Sequence, residues 1–351
     1  MNHIKYNYFT LLILLVFTTK IYSQTNIPSK IDSLMKWSNE NGMFNGNVLV
    51  AKNGNILYNS SFGYADASKT TKLTPDYKFN IGSITKEFSA VALQQLKEKG
   101  KLNLNDKIST FFPELPKWSN DVTINNLLQY TSGIPDVNWK KIKNNKDIFE
   151  DLKSIDTLDF TPGTKYDYNN NNFFLRLAII EKITGLEYKD YVDKYIFKPY
   201  KMNSAEITPI QKDKKIAKGF NDKLIEDKPD ILVGGAFITT VDLLKFLNQL
   251  HSNKIITQES VYQLGQHFQE DSQSALGEVK FRNKKIVEHI HDGRGGNYDA
   301  IIISDVEHKF DIILLSNNYQ GKIFEISDAI VAILKNKNYT LPQKENIQNK
   351  E

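Results

Sequence analysis

The sequence predicts an α/β (α+β) protein, one unit whose two halves are separated by a mostly helical insertion. Three observations carry that prediction. Strand-like runs gather near both ends of the chain, around residues 47–58 and 278–316. Each group is followed by a helical segment free of Gly and Pro, over 83–99 and 322–335. Between them, from about 101 to 225, Pro, Asn, Lys and Tyr are frequent and helical patterns alternate with loops.

Composition narrows the classes. Of 351 residues, 40% are hydrophobic and 25% charged, which is ordinary globular composition and excludes a disordered chain, a collagen or a multi-span membrane protein. The 45 Lys+Arg against 41 Asp+Glu leave a formal +4, too small an excess for a nucleic-acid-binding face, so no nucleic acid partner is expected. Cysteine is absent, which excludes disulfides, zinc-thiolate sites, iron–sulfur clusters and a Cys nucleophile.

The elements follow in order. Lys5, the apolar run Tyr8–Phe17 and the small Ser23 predict a secretory signal over residues 1–23, hence export to a periplasm or the medium. As a helix that run spans only about 15 Å, so no stable membrane span is expected. A single domain is expected over 24–340, with its α/β part at about 24–100 and 226–340, the helical insertion at about 101–225 and a polar tail at 341–351. Ile31–Asn39 reads as a short amphipathic helix. Asn47–Ala51 and Asn55–Tyr58 flank Asn53-Gly54, the residue pair of a type I′ hairpin turn. From Ser83 to Lys99, Ile84, Phe88, Val91 and Leu96 form a buried helical stripe, with Gly100 as its C-terminal stop. Ile124–Tyr130, Asn172–Thr184, Tyr188–Phe197 and Val241–Leu250 read as helices. Glu278–Ile290, Tyr298–Ser304 and Phe310–Ser316 read as strands, and Lys322–Lys335 as a closing helix.

Three short motifs carry chemistry. Ser83-Ile84-Thr85-Lys86 opens a helix, where positions three apart share a face, so the ammonium reaches the hydroxyl. A serine becomes nucleophilic once a base takes its proton, and a lysine can be that base if burial or a nearby cation lowers its pKa. The chain holds a second copy, Ser33-Leu34-Met35-Lys36, inside an ordinary amphipathic helix; Gly82 and the helix start favour Ser83. Tyr168-Asn169-Asn170 is the only Tyr-x-Asn in the chain and follows the turn signal Thr161-Pro162-Gly163-Thr164. The phenol can relay a proton and the amide can hold a carbonyl, while the run Asn169–Asn172, taken on its own, reads first as Asn-rich turn chemistry. His291-Asp292-Gly293 is the only His-x-Gly, followed by Arg294-Gly295-Gly296. Gly293 would let a substrate approach the backbone, and the N–H of Arg294 could join that of Ser83 as an oxyanion donor. His289 and His291, two apart on one strand face beside Asp292, also admit a metal reading. No His-Glu-x-x-His or second carboxylate cluster supports it, so no metal and no other cofactor is expected.

The order Ser-x-x-Lys, Tyr-x-Asn, His-x-Gly resembles the penicillin-recognising serine hydrolases, in the branch of class C β-lactamases, D-alanyl-D-alanine carboxypeptidases, D-aminopeptidases and related esterases. The resemblance extends to Phe79–Phe88, Gly100–Asp106, Phe112–Leu115, Ile124–Pro135, Pro162–Asn170 and Gly234–Thr240, and so covers about residues 40–335. It implies the β-lactamase/transpeptidase-like fold, an antiparallel sheet flanked by N- and C-terminal helices with a helical region inserted. It implies Ser83 as the acylated nucleophile, with Lys86 and Tyr168 sharing acid–base work. It implies Asn170, His291, Gly293 and Arg294 on the substrate, with the amides of Ser83 and Arg294 holding the oxyanion. The substrate class implied is a small molecule or short peptide, such as a D-amino-acid peptide or ester.

Departures from the pattern refine this. His291 stands where many members have lysine, a weaker fixed cation for a carboxylate, which turns the expectation from β-lactamase toward peptidase or esterase. Arg294 stands where a small residue is common; its guanidinium either replaces that lysine as a carboxylate anchor or is a solvated loop arginine. Tyr130 stands where His commonly precedes Thr-Ser-Gly, a change that reads as packing. The expected activity is acyl-enzyme hydrolysis. A true class C-like β-lactamase and a catalytically idle binding protein with a retained pocket are the alternatives.

Overall fold

The computed structural model describes residues 27–142, 144–209, 215–228 and 234–344. The expected signal segment and most of the polar tail lie outside them. A helix over residues 27–40 (α1) leads into the hairpin β1 (Gly46–Lys52) and β2 (Asn55–Phe62). Its turn is the one the residues predict, since Asn53 (φ 53°) and Gly54 (φ 78°) are both left-handed.

A short strand β3 (Phe79–Asn80) then enters a 3-10 turn, Gly82–Thr85, and helix α2 (Lys86–Glu98). Ser83 therefore sits in a tight turn before the α-helix rather than in its first turn. Gly100 lies just past the helix at φ 66°. The insertion supplies α3 (Ile108–Phe111), α4 (Ile124–Leu128), α5 (Asn145–Lys153), α6 (Asn170–Thr184) and α7 (Tyr188–Val192). Residues Asp193–Phe197 continue α7 as a π-helical turn. Short strands β4 (Glu206–Ile207) and β5 (Ala236–Ile238) follow, then α8 (Thr240–His251) and α9 (Gln258–Leu264).

The chain returns to the main sheet with β6 (Glu278–Arg282), β7 (Lys285–Gly295), β8 (Tyr298–Asp305) and β9 (Phe310–Ser316), and closes with α10 (Ile323–Leu334). One expected strand is thus two. The run from Glu278 to Ile290 folds back at Asn283 and Lys284, both left-handed without a glycine between them, so its turn signal is silent in the sequence.

The main sheet is antiparallel with order β2-β1-β9-β8-β7-β6, and a small sheet has order β3-β5-β4. Strand alternation sorts the central residues onto two faces. Val48, Val50, Ile301, Ile303, Ile312 and Leu314 meet Ile31, Leu34 and Met35 of α1 and Ile326 and Ile330 of α10. Leu49, Ala51, Ala300, Ile302, Ile313 and Leu315 belong to the larger core, with Phe88 and Leu93 of α2 and Phe246 of α8. The terminal helices therefore cover one face, as expected. The other face packs on the helical layer, and the three short sequence motifs lie where the two meet. Among the described residues no helix is long and apolar enough to cross a membrane.

Candidate active site

The turn that carries Ser83 is held from several sides. Asn80 Oδ1 accepts from Gly82 N at 2.8 Å, Ile81 N donates to Ala236 O at 3.2 Å, and Ala236 N donates to Thr85 Oγ1 at 2.9 Å. Gly82 is left-handed at φ 53°, and a side chain there would collide with the backbone of Gly293 and Arg294. A side chain on Gly293 would collide in turn with Ile81 O and lie 2.8 Å from Ser83 N. The glycine expected to admit a substrate therefore first admits the turn that carries Ser83. This contact brings the Ser83 and Arg294 amides onto facing segments.

Three side chains converge on one atom. Lys86 Nζ donates to Ser83 Oγ at 3.0 Å and the Tyr168 hydroxyl donates to the same oxygen at 2.8 Å. Lys86 is buried, its ammonium 5.0 Å from the Tyr168 ring centre and 5.5 Å from that of Phe173. Burial brings the Lys86 pKa down to about 8; Tyr130 opposes the shift and the cation of Arg176 adds to it. Burial pushes the Tyr168 phenol up, against its bond with Ser83 and the field of Arg176.

The turn-chemistry reading of the Asn-rich run holds for Asn169 and Asn171. Asn169 caps α6 by accepting from Asn172 N at 3.2 Å, and it donates to Ile134 O at 2.8 Å. Asn171 donates to Pro135 O at 2.8 Å, so these two bind α6 to the 134–136 loop. The Asn170 backbone N–H meets Asp136 Oδ1 at 2.9 Å, while its side-chain amide has no hydrogen-bond partner among the described residues.

His289, His291 and Gly293 alternate along one face of β7, the buried one. His291 Nδ1 lies 2.6 Å from Glu87 Oε1, a residue sequence reasoning missed. Its signal was an acid inside α2, whose residues from Lys86 to Gln95 are all buried. Arg294 is exposed, on the opposite parity, and its guanidinium lies 3.8 Å over the ring centre of Tyr319. Its backbone reaches the site and its side chain rests elsewhere. Ser33 is the surface copy: its hydroxyl bonds Ser29 O, and Lys36 pairs with Asp32 at 2.8 Å.

Tyr130 does more than pack. It is buried and left-handed (φ 55°), its ring centre lies 4.6 Å from that of Tyr168, and its hydroxyl accepts from Arg176 Nη2 at 3.1 Å. Arg176 is fully buried, with Nε and Nη1 unpartnered among the described residues. Neither Tyr130 nor Arg176 stood out as a functional residue in the sequence, because an Arg inside a helix ordinarily reads as solvated.

The Beta-lactamase family matches residues 29–346. This chain belongs to that family. Its members are serine hydrolases. Penicillin-binding protein 4* of Bacillus subtilis is 28% identical over 91% of this chain and 78% of its own length. A penicillin-binding protein of Bacillus halodurans superposes with a TM-score of 0.75 at 23% identity, over 86% of this chain and 98% of that one. The D-amino acid amidase of Ochrobactrum anthropi superposes with a TM-score of 0.75 at 22% identity, over 89% of this chain and 99% of the amidase. Likeness at these identities concerns the fold, and it agrees with the antiparallel sheet, flanking helices and helical layer described above.

Proposed function

We propose that this chain is an exported serine hydrolase that works through an acyl-enzyme on an amide, ester or lactam carbonyl, with a D-amino-acid peptide or ester as its substrate class. One observation carries the reading: the Ser83 hydroxyl is bonded by both Lys86 and Tyr168 while Lys86 is buried with its pKa lowered to about 8. A lysine so placed reaches its neutral form near physiological pH and can take the serine proton.

Ser83 Oγ attacks the carbonyl carbon as its proton passes to Lys86. The carbonyl oxygen becomes the oxyanion, taken by the amides of Ser83 and Arg294; each such donor is typically worth about 2.7–4 kcal/mol. The tetrahedral centre collapses, the bond to the leaving group breaks, and Lys86 returns the proton to the departing atom through Tyr168. Water then enters, loses its proton to the same pair and releases the acid with Ser83 restored. Asn170, with its amide free, is the substrate contact beside Tyr168. The D-amino-acid assignment is supported by the likeness to the amidase, and His291 in place of lysine favours a peptidase or esterase over a β-lactamase. Export is supported by the composition of residues 1–23.

The test is fluorophosphonate labelling followed by peptide mapping. Ser83→Ala should abolish labelling and Ser33→Ala should leave it intact. Labelling retained in the Ser83 variant would sink the assignment, and absence of labelling and of ester turnover in the native chain would favour an idle binding pocket. Intact-protein mass spectrometry with a penicillin and a p-nitrophenyl ester separates the substrate classes. A stable penicillin adduct on Ser83 supports a peptidase-like site. Rapid hydrolysis of a chromogenic cephalosporin would make the protein a β-lactamase.

A further inference from the structure

Behind the site lies a chain of four side chains, three of them buried, that the mechanism above does not use. His251 Nε2 lies 3.0 Å from His289 Nδ1, His289 Nε2 lies 3.2 Å from Glu87 Oε1, and His291 Nδ1 lies 2.6 Å from that same oxygen. Glu87 and His289 are wholly buried and His291 nearly so. The chain starts at the end of α8, passes through β7 to Glu87 on α2, one residue after Lys86, and returns to β7 at His291. A carboxylate has no proton to donate when ionised, so each imidazole that meets Oε1 must present an N–H to it. Burial alone would raise the Glu87 carboxyl, but the imidazoles of His289 and His291 outweigh it and bring its pKa down to about 2. Burial, with His289 beside it, lowers His251 to about 3, so His251 is neutral and can donate Nε2–H to His289.

We propose that Glu87, backed by His289 and His251, is a positioning residue that locks His291 with its proton on Nδ1 and its Nε2 toward the reacting substrate. This rests on the reading of His291 as a substrate contact. Two observations support it. His291 Nε2 has no hydrogen-bond partner among the described residues, whereas Nδ1 is held at 2.6 Å. His291 also shares the β7 face with Gly293, which abuts Ser83 N. The arrangement follows a general rule, that a carboxylate on one imidazole nitrogen sets what the other can do.

The same three groups could bind a metal, since their ligand atoms lie within 4.8 Å of one another and Glu87 Oε2 has no partner among the described residues. Hydrogen bonding is favoured for two reasons. Both imidazoles already meet one oxygen at hydrogen-bond distance, where a shared cation would have to replace both contacts with bonds of about 2.0–2.2 Å. A divalent charge would also sit one residue from the buried Lys86.

Long-range proton–nitrogen NMR of the full chain labelled at histidine nitrogens tests this. The expected result is a proton on His291 Nδ1 in the native protein, assigned by its loss in His291→Gln. Glu87→Gln, whose neutral carbonyl is a weaker acceptor than the carboxylate, should redistribute that proton and lower kcat/KM for a p-nitrophenyl ester about ten-fold or more. A native His291 protonated on Nε2 alone would overturn the proposal, as would a tautomer indifferent to Glu87→Gln. Stoichiometric zinc in the purified native protein, measured by mass spectrometry, would overturn it in favour of a metal centre. If Glu87→Gln does not fold, the native tautomer alone decides. Ser83 labelling of the native chain is scored separately, so failure of the nucleophile assignment and failure of the relay remain distinguishable.

Discussion

Lys86 and Arg176 show how single residues set the chemistry. A lysine brought from its ordinary 10.5 to about 8 costs the folded state roughly 3 kcal/mol at neutral pH. The sign follows from linkage: the unfolded chain binds the extra proton between about 8 and 10.5, so the cost is complete below 8 and is relieved as pH rises through that window. Acylation of Ser83 should therefore rise with pH around a midpoint near 8, read as the rate of fluorophosphonate labelling. Arg176→Met removes a cation that depresses Lys86, so that midpoint should move to higher pH. The same change removes a buried guanidinium with two unpartnered nitrogens, and the variant should melt no lower than the native chain. A midpoint unmoved by Arg176→Met would remove Arg176 from the account of Lys86. For Glu87, lowered to about 2, the sign reverses. Its contribution is present above about 4.5 and is lost as pH falls toward 2, so Glu87→Gln should flatten the acid limb of stability measured by urea titration.

At the scale of elements, the decisive contact is β7 against the 3-10 turn of Gly82–Thr85. Two glycines make it, one left-handed and one extended, and neither tolerates a Cβ. Gly82→Ala carries about 1–2 kcal/mol for the left-handed backbone and a further penalty for colliding with Arg294. Gly185 is left-handed too, at φ 70°, but a Cβ there meets nothing within 4 Å. Gly185→Ala should therefore lower the melting temperature while leaving Ser83 labelling intact, whereas Gly82→Ala should abolish labelling even where the protein stays folded. Equal labelling in the two variants would show that the turn does not need its close approach to β7. The same scale explains the split strand. Hydrophobic alternation runs across Glu278–Ile290, but a turn made by Asn283 and Lys284 at φ 51° and 60° has no glycine to announce it.

Over the whole molecule, the sheet joins the two ends of the chain: β1 lies beside β9, and the terminal helices share one face. The other face carries the helical layer, so the site forms at a seam between segments distant in sequence. Ile302, fully buried opposite His291 in the β7–β8 register, belongs to that seam. Ile302→Ala should cost about 2–5 kcal/mol in urea denaturation. Labelling per folded molecule should stay within a few-fold of native, because no reacting group is removed.

The sequence by itself determined the broad succession of strands, helices and strands, the hairpin at Asn53-Gly54 and the candidacy of Ser83, Lys86 and Tyr168, since these rest on local chemistry: turn residues, apolar periodicity and short motifs. Tertiary structure alone decided what surrounds them. It showed that Asn169 and Asn171 are structural while the Asn170 amide has no partner among the described residues, that Gly293 seats the turn carrying Ser83, and that the Arg294 side chain lies over Tyr319. It also brought Glu87, His251 and Arg176 to the site. No local pattern announces these, because the burial of a charge and the partner that makes it bearable depend on packing between segments far apart along the chain.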